Sequence, residues 1–309
     1  MITQRSMILA KVEGTYGTDP TPTTSADAIQ VFDIDLEVMR EPLKREAHDV
    51  TMSPLTEVMG DGLAKLKFSC HLKGSGTAGT APDWVVLANA CGYYNTNVAV
   101  TSDTLKPDDT PTTSCTIWVY KDGIKYALTG CRGEMKLSLE SGKIGILQFE
   151  FQGKYALPTD VTFPASVTLD STKPVPVLGA TFTFGSYAAI ANKLELALNN
   201  EIVKNTSFNQ AYGVESFEIT KRDPSGSMTV NAVQRATSNA DFWIYMENGT
   251  TKALSIVIGG TAGNIATITA PICVVRTIKN GNQGGIATWE VEFQLARSSG
   301  GDELVIALT

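Results

Sequence analysis

Four stretches of this chain alternate apolar and polar residues with a period of two. Leu66, Phe68, Cys70 and Leu72 are separated by Lys67, Ser69 and His71. Met135, Leu137 and Leu139 alternate with Glu134, Lys136, Ser138 and Glu140. Leu147, Phe149 and Phe151 alternate with Gln148, Glu150 and Gln152, and Trp289, Val291 and Phe293 with Glu290, Glu292 and Gln294. That period sends successive side chains to opposite faces, so each stretch reads as a strand with one buried and one wet face, as in antiparallel sheets. Turn pairs punctuate them: Asp122-Gly123, Ser141-Gly142, Asn280-Gly281 and Gly284-Gly285. Helical spacing is confined to two short runs. Thr80-Ala81-Pro82-Asp83 opens the first, whose face is Trp84, Leu87, Ala88 and Cys91, and Gly92 ends it. Ser238-Asn239-Ala240-Asp241 opens the second, with Phe242, Tyr245 and Met246, and Asn248-Gly249 ends it.

The pattern occurs twice. An ungapped offset of 142 residues pairs Cys131 with Cys273, Gly142 with Gly284, Ile144 with Ile286, and Glu150-Phe151-Gln152 with Glu292-Phe293-Gln294. Upstream the offset drifts: Asp83-Trp84 faces Asp241-Phe242, and Leu66-Lys67-Phe68 is set against Met228-Thr229-Val230. A tandem duplication of one strand–helix–strands unit accounts for this order. The expected fold is mainly β, two tandem β-sandwich or curled-sheet domains, each with one short flanking α-helix. Their expected limits are residues 1–157 and 177–309, joined by a connection at 158–176 that carries Pro158, Pro164, Pro174 and Pro176. Each half also holds a long stretch of weak periodicity at the same place in the repeat, Arg40 to Gly62 and Asn199 to Gly226. Long loops are costly unless they do something, so both are expected to be arms that reach a neighbouring subunit.

Composition removes several classes of function. With 309 residues, 43% hydrophobic and 18% charged, the chain has material for two cores and is not disordered. No apolar run is long enough to span a bilayer and the N-terminus does not read as a secretory signal, so no membrane insertion is expected. A net charge of −7 argues against wrapping nucleic acid. Five widely spaced cysteines, Cys70, Cys91, Cys115, Cys131 and Cys273, form no CxxC and read as buried free thiols. Two histidines, His48 and His71, do not supply metal-ligand spacing, so no metal is expected. Gly74-Ser75-Gly76-Thr77-Ala78-Gly79 matches GxGxxG. The preceding strand alternates, however, and no acidic residue follows at the required distance, so it reads as a strand-to-helix connection and no cofactor is expected. Asn205-Thr206-Ser207 and Asn248-Gly249-Thr250 fit a glycosylation sequon by coincidence. Carboxylates such as Glu290 and Glu292 share a strand face without a nucleophile–base partner, so the chain does not read as an enzyme.

The run Ile8-Leu9-Ala10-Lys11-Val12-Glu13-Gly14-Thr15-Tyr16-Gly17-Thr18-Asp19-Pro20-Thr21-Pro22, with Ala26-Asp27-Ala28-Ile29 after it, resembles the opening of tail tube proteins of long-tailed bacteriophages. Gly74 to Pro82 leading into Trp84 and Ala90-Cys91-Gly92, and Asp302-Glu303 after Gly300-Gly301, are similar to later segments of that family. The resemblance implies tail-tube-like domains and a structural virion protein, the major tail tube subunit. Its rings stack around a channel through which double-stranded DNA passes without sequence-specific binding. It implies a chain located in the virion tail, assembled in the host cytoplasm, whose partners are itself and other tail proteins. If six tube domains make a ring, a duplicated chain forms a homotrimer with pseudo-sixfold symmetry; if only one repeat lines the channel, it forms a hexamer. On this reading Arg40, Lys44, Arg45, Glu46, Asp49 and Glu57 are the candidate ring-stacking arm. Gln148, Glu150, Gln152, Glu290, Glu292 and Gln294 are the candidate channel lining. The alternative is a β-sandwich receptor- or glycan-binding virion protein, for which the adjacent Tyr93-Tyr94 supplies the aromatic surface.

Overall fold

The computed structural model describes residues 5–48, 50–235 and 240–309. The expected helix start at Ser238-Asn239 and the arm candidate Asp49 lie outside the described residues. The protein is mainly β, with 54% of the described residues in strands and bridges and 4% in helices. The first half contains β1 (Ser6–Val12), β2 (Ala28–Ile29), β3 (Phe32–Leu43), β4 (Val58–His71), α1 (Val85–Ala90), β5 (Tyr93–Val98), β6 (Ser102–Pro107), β7 (Cys115–Lys121), β8 (Ile124–Glu140), β9 (Ile146–Tyr155) and β10 (Thr159–Asp160). The second contains β11 (Thr181–Phe184), β12 (Ala191–Ala197), β13 (Asn200–Thr206), β14 (Val214–Arg222), β15 (Ser225–Asn231), α2 (Phe242–Asn248), β16 (Thr251–Ile258), β17 (Ala266–Gln283), β18 (Ile286–Ala296) and β19 (Val305–Leu308).

The two halves pair their strands in the same order. In the first, β1 pairs with β7, β7 with β8, β8 with β9, β9 with β4 and β4 with β3. In the second, β11 pairs with β16, β16 with β17, β17 with β18, β18 with β15 and β15 with β12. The registers give the equivalence residue by residue. Phe68 lies opposite Phe149 and Met228 opposite Val291, so Phe68 corresponds to Met228. The sequence alignment had set Leu66 there. A slip of two residues keeps every side chain on its proper face, which is why hydropathy alone does not detect it.

The same arithmetic corrects the two stretches of weak periodicity. Arg40 pairs with Gly62, Pro42 with Met59 and Leu43 with Val58. Asn200 pairs with Arg222, Ile202 with Ile219 and Val203 with Glu218, each shifted by the same number of residues, with a bulge at the same place. Both stretches are therefore extensions of one hairpin rather than irregular loops. The bulges break the period-two pattern; among the described residues, 44–48 and 50–57 of the first stretch and 207–213 and 223–224 of the second lie outside strands.

The halves share one sheet. Its central joint is β8 against β12, with Lys136 opposite Ala197, Leu137 opposite Leu196, Leu139 opposite Leu194 and Glu140 opposite Lys193. A second joint runs from β17 to β19 and on to the β5–β6 hairpin of the first half. Apolar side chains from both halves merge into one core cluster that includes Leu66, Phe149, Leu137, Leu196, Phe293 and Ile306. Helix α1 seats the fully buried Trp84, whose Nε1 donates to the Lys73 carbonyl at 2.9 Å. Helix α2 starts on Asp241, which accepts from the Ile244 N–H, and ends at Gly249 with φ of 60°, a left-handed C-cap suited to glycine. The Pro-rich connection lies along the first half, where Val161, Phe163 and Val167 pack against Met7, Leu9, Ala28 and Tyr120. The buried Lys73 ammonium anchors its end, 3.0 Å from Asp170 and 3.3 Å from Asp83.

Candidate assembly surface

One face of the shared sheet carries the core and the other is polar. Across the first half, Lys67 on β4 lies opposite Asp35 on β3 and Glu150 on β9, and Lys65 lies opposite Glu37 and Gln152. In the second half Ser227 lies opposite Glu195 and Glu292, and Thr229 lies opposite Lys193 and Glu290. Residues directly opposite share a face. The candidate lining residues Gln148, Glu150, Gln152, Glu290, Glu292 and Gln294 thus stand on one continuous polar surface, alternating with buried Leu147, Phe149, Phe151, Trp289, Val291 and Phe293. Charge on this face is mixed and paired. Lys67 reaches Glu150 at 2.9 Å, Lys136 and Lys193 both reach Glu195 at 2.7 Å, and Lys279 reaches Glu292 at 2.7 Å. The Glu292 carboxyl is held below its ordinary range by the Lys279 ammonium, through a hydrogen bond and charge.

The β8–β12 joint has its own chemistry. Glu134 on β8 accepts from the backbone N–H groups of Asn199 at 3.0 Å and Asn200 at 2.6 Å, where the chain passes from β12 to β13. Burial pushes this carboxyl up to about 7, against the lowering effect of those N–H groups. The Asn200 side chain donates to the carbonyls of Cys91 and Gly133 at 2.7 and 3.1 Å, fixing the base of the second hairpin extension.

That extension, β13 with β14, lies across the first half of its own chain. Phe217 is fully buried there. Its N–H donates to the Tyr16 hydroxyl at 2.8 Å, and its carbonyl accepts from Arg132 at 2.7 Å, while Arg132 also pairs with Glu218. Lys204 meets Asp61 at 3.0 Å, the Gly62 N–H donates to the Tyr212 carbonyl, and Arg222 reaches Asp109 at 2.5 Å. Burying one phenylalanine contributes about 1.5–3 kcal/mol, enough to order a hairpin that alone is marginal. The strands of the stretch Asn199 to Gly226 are thus packed on their own chain, which sequence reasoning did not expect, while Phe208 at the tip is wholly exposed.

The first extension has no such support. Lys44, Arg45, Glu46 and Glu57 are exposed in the segment 44–57, and Val50 and Met52 are almost wholly exposed at its tip. Arg40 lies apart from them, at the base: its guanidinium donates to the Gly60 carbonyl at 2.7 Å and sits over the Tyr212 ring at 5.3 Å. Among the described residues several strands are paired on one side only, β5 with β6 and β11 with β16 among them. On the polar sheet these open borders are β3, paired with β4, and the final part of β17, residues 276–283, paired with β18.

The remaining sequence features have structural explanations. The GxGxxG loop meets a glycine turn of the second half: the Gly76 N–H donates to the Gly263 carbonyl at 3.0 Å and the Gly74 N–H to Asn264 Oδ1 at 2.8 Å. A Cβ on Gly74 would collide with the Gly263 backbone, so glycine serves close approach between chain segments. Tyr93 is buried and Tyr94 half exposed on alternate faces of β5, so the pair forms no aromatic patch, and the glycan-binding alternative loses its footing. All five cysteines are buried and unbridged, and burial pushes their thiols up. Among the described residues no cluster of His, Cys, Asp and Glu suits a metal, and no helix is long and apolar enough to cross a membrane. The open borders escape sequence reasoning, because Asp35 and Lys279 look like any exposed strand charge until the pairing is known.

The family model of the phage tail tube protein matches residues 3–295 of this chain. No curated protein matches it.

Proposed function

The chain belongs to the phage tail tube protein family, and from that premise we propose that it is the subunit that builds the tube wall of a phage tail, closing into rings that stack around a DNA channel. The family is a structural one and its place is the virion tail. The observation that carries the finer reading is the shared polar sheet, composed of β3-β4-β9-β8 and β12-β15-β18-β17 and left open at both ends. An open curved sheet invites pairing with another chain, and closure around an axis removes its edges. Because the halves repeat the same strand order, three chains supply six equivalent units. The ring of this proposal is a trimer with pseudo-sixfold symmetry. Head-to-tail stacking of rings does not terminate by itself, so other tail proteins set the length.

The polar face is the proposed channel wall. Its lysines at 67, 136, 193 and 279 each stand within 3 Å of a carboxylate. A wall with most of its lysines already paired offers DNA little counterion-release affinity, so the duplex slides rather than sticks. Negative-stain electron microscopy of the purified chain at high concentration, alone and with tail initiator proteins, tests the reading. Rings with threefold symmetry and a central hole, stacking into tubes, are expected. Monomers under every condition, or discs without a hole, overturn it.

A further inference from the structure

Resting on the ring reading, we propose that neighbouring chains join by repeating the β8–β12 joint: β3 of one chain pairs antiparallel with residues 276–283 of β17 in a second copy. The internal equivalence specifies the register. β8 carries β7 beside its first part and β12 beside its last. β17 carries β16 beside its first part, and the position beside its last part is vacant. β12 and β3 are themselves equivalent, since Leu196 lies opposite Gly226 and Leu36 opposite Leu66, the matching positions of β15 and β4. Lys136 lies opposite Gln148 and Lys279 opposite Glu290, the matching positions of β9 and β18. Transferring the pair Lys136–Ala197 therefore sets Lys279 directly opposite Glu37, and transferring Leu137–Leu196 sets Asn280 opposite Leu36.

The charges fit that register. Within the chain Lys136 reaches diagonally across the joint to Glu195 at 2.7 Å. Their equivalents between chains are Lys279 and Asp35. The open border of β3 is acidic, with Asp33, Asp35 and Glu37 all exposed, whereas that of β17 offers Arg276 and Lys279. A slip of two residues also keeps Lys279 among these carboxylates, so the register itself rests on the equivalence with the β8–β12 joint. The same operation lays residues 44–57 over the second half of the neighbouring chain, as β13 and β14 lie over the first half of their own. The first arm thus bridges subunits of one ring, and Val50 and Met52 lose their exposure on assembly.

Cysteine pairing in assembled tubes reads the register directly, because all five native cysteines are buried. Directly opposite Cα atoms in an antiparallel pair are about 4.5–5.5 Å apart, within disulfide range. Glu37→Cys combined with Lys279→Cys is expected to give covalent dimers and trimers on mild oxidation. Glu37→Cys with Gly281→Cys, two positions out of register, is expected to give few. Independently, Lys279→Glu is expected to lower the assembled fraction about tenfold by setting like charges across the joint, and Asp35→Lys in the same chain to restore it. Tubes that form without the Glu37–Lys279 crosslink, or whose charge defect is not rescued, overturn the register while leaving the tube reading intact. A wild-type chain that never forms rings overturns the tube reading and the pairing with it.

Discussion

Glu134 is the residue at which the inner joint of the chain is most exposed to pH. An unfolded glutamate loses its proton near 4.5, and the folded one holds it to about 7. Between these values the folded state binds more protons, so stability from this group is present below about pH 4.5 and is lost as pH rises through 7. Glu134→Gln removes the titration and keeps an acceptor for only one of the Asn199 and Asn200 N–H groups, a loss that does not vary with pH. Urea melts at pH 4.5 and 7.5 should show a smaller loss of stability in the variant than in the wild type; equal losses would refute the assignment. Glu13 meets burial differently. Its carboxylate accepts from Ser114, Thr116 and the N–H groups of Gly17 and Gly130, all at 2.6–2.7 Å, so it is fully partnered in the core. Neither role was legible in the sequence, where both are glutamates among many. The polar face of the sheet was legible at single-residue level, because Gln148, Glu150, Glu290 and Glu292 fall in unbroken alternation with large apolar neighbours.

At the scale of elements, the two hairpin extensions are the informative pair. They are built alike, with a bulge between Glu201 and Ile202 in one and between Arg40 and Pro42 in the other. The second has a surface beneath it and is zipped into strands, while the first opens into 44–57. Replacing residues 46–55 by a short Gly/Ser turn should therefore leave the melting temperature of the subunit within about 2 °C, since no buried group is removed. The same change should abolish tubes in electron micrographs. Tubes of normal length would show that the arm does not bridge subunits. Sequence reasoning marked out both stretches but misread their form, because a bulge shifts the alternation by one and residues wet on both faces carry no hydrophobic period. The strands of the polar face were found because burial is one-sided along their whole length. The β5–β6 hairpin was missed: it fills the first half where the second passes from α2 straight into β16, and its partner β19 lies far away in sequence.

At the scale of the whole molecule, the apolar cluster is continuous through both halves. Phe217, Arg132 and the β8–β12 pairing tie them further. Differential scanning calorimetry of the unassembled chain should give one cooperative transition whose calorimetric and van't Hoff enthalpies agree; two resolved peaks would show that the halves fold independently. The repeat itself was readable from the sequence at Cys131 and Cys273, but the joint between its copies was not, since nothing local marks which strand lies beside β8. That joint has a kinetic side. Half of the wall-to-wall contacts in the proposed ring are made during folding, at the effective concentration of a single polypeptide. Only the other half awaits diffusive encounter. In that ring, carrying two units on one chain halves the number of collisions that a turn of the tube requires. It also lets alternate contacts differ in chemistry: Glu134 faces one kind of crossing and Thr277 the other. A capping protein arriving at such an end would meet a rim that repeats every 120 degrees rather than every 60, and a threefold partner would find its seat without ambiguity.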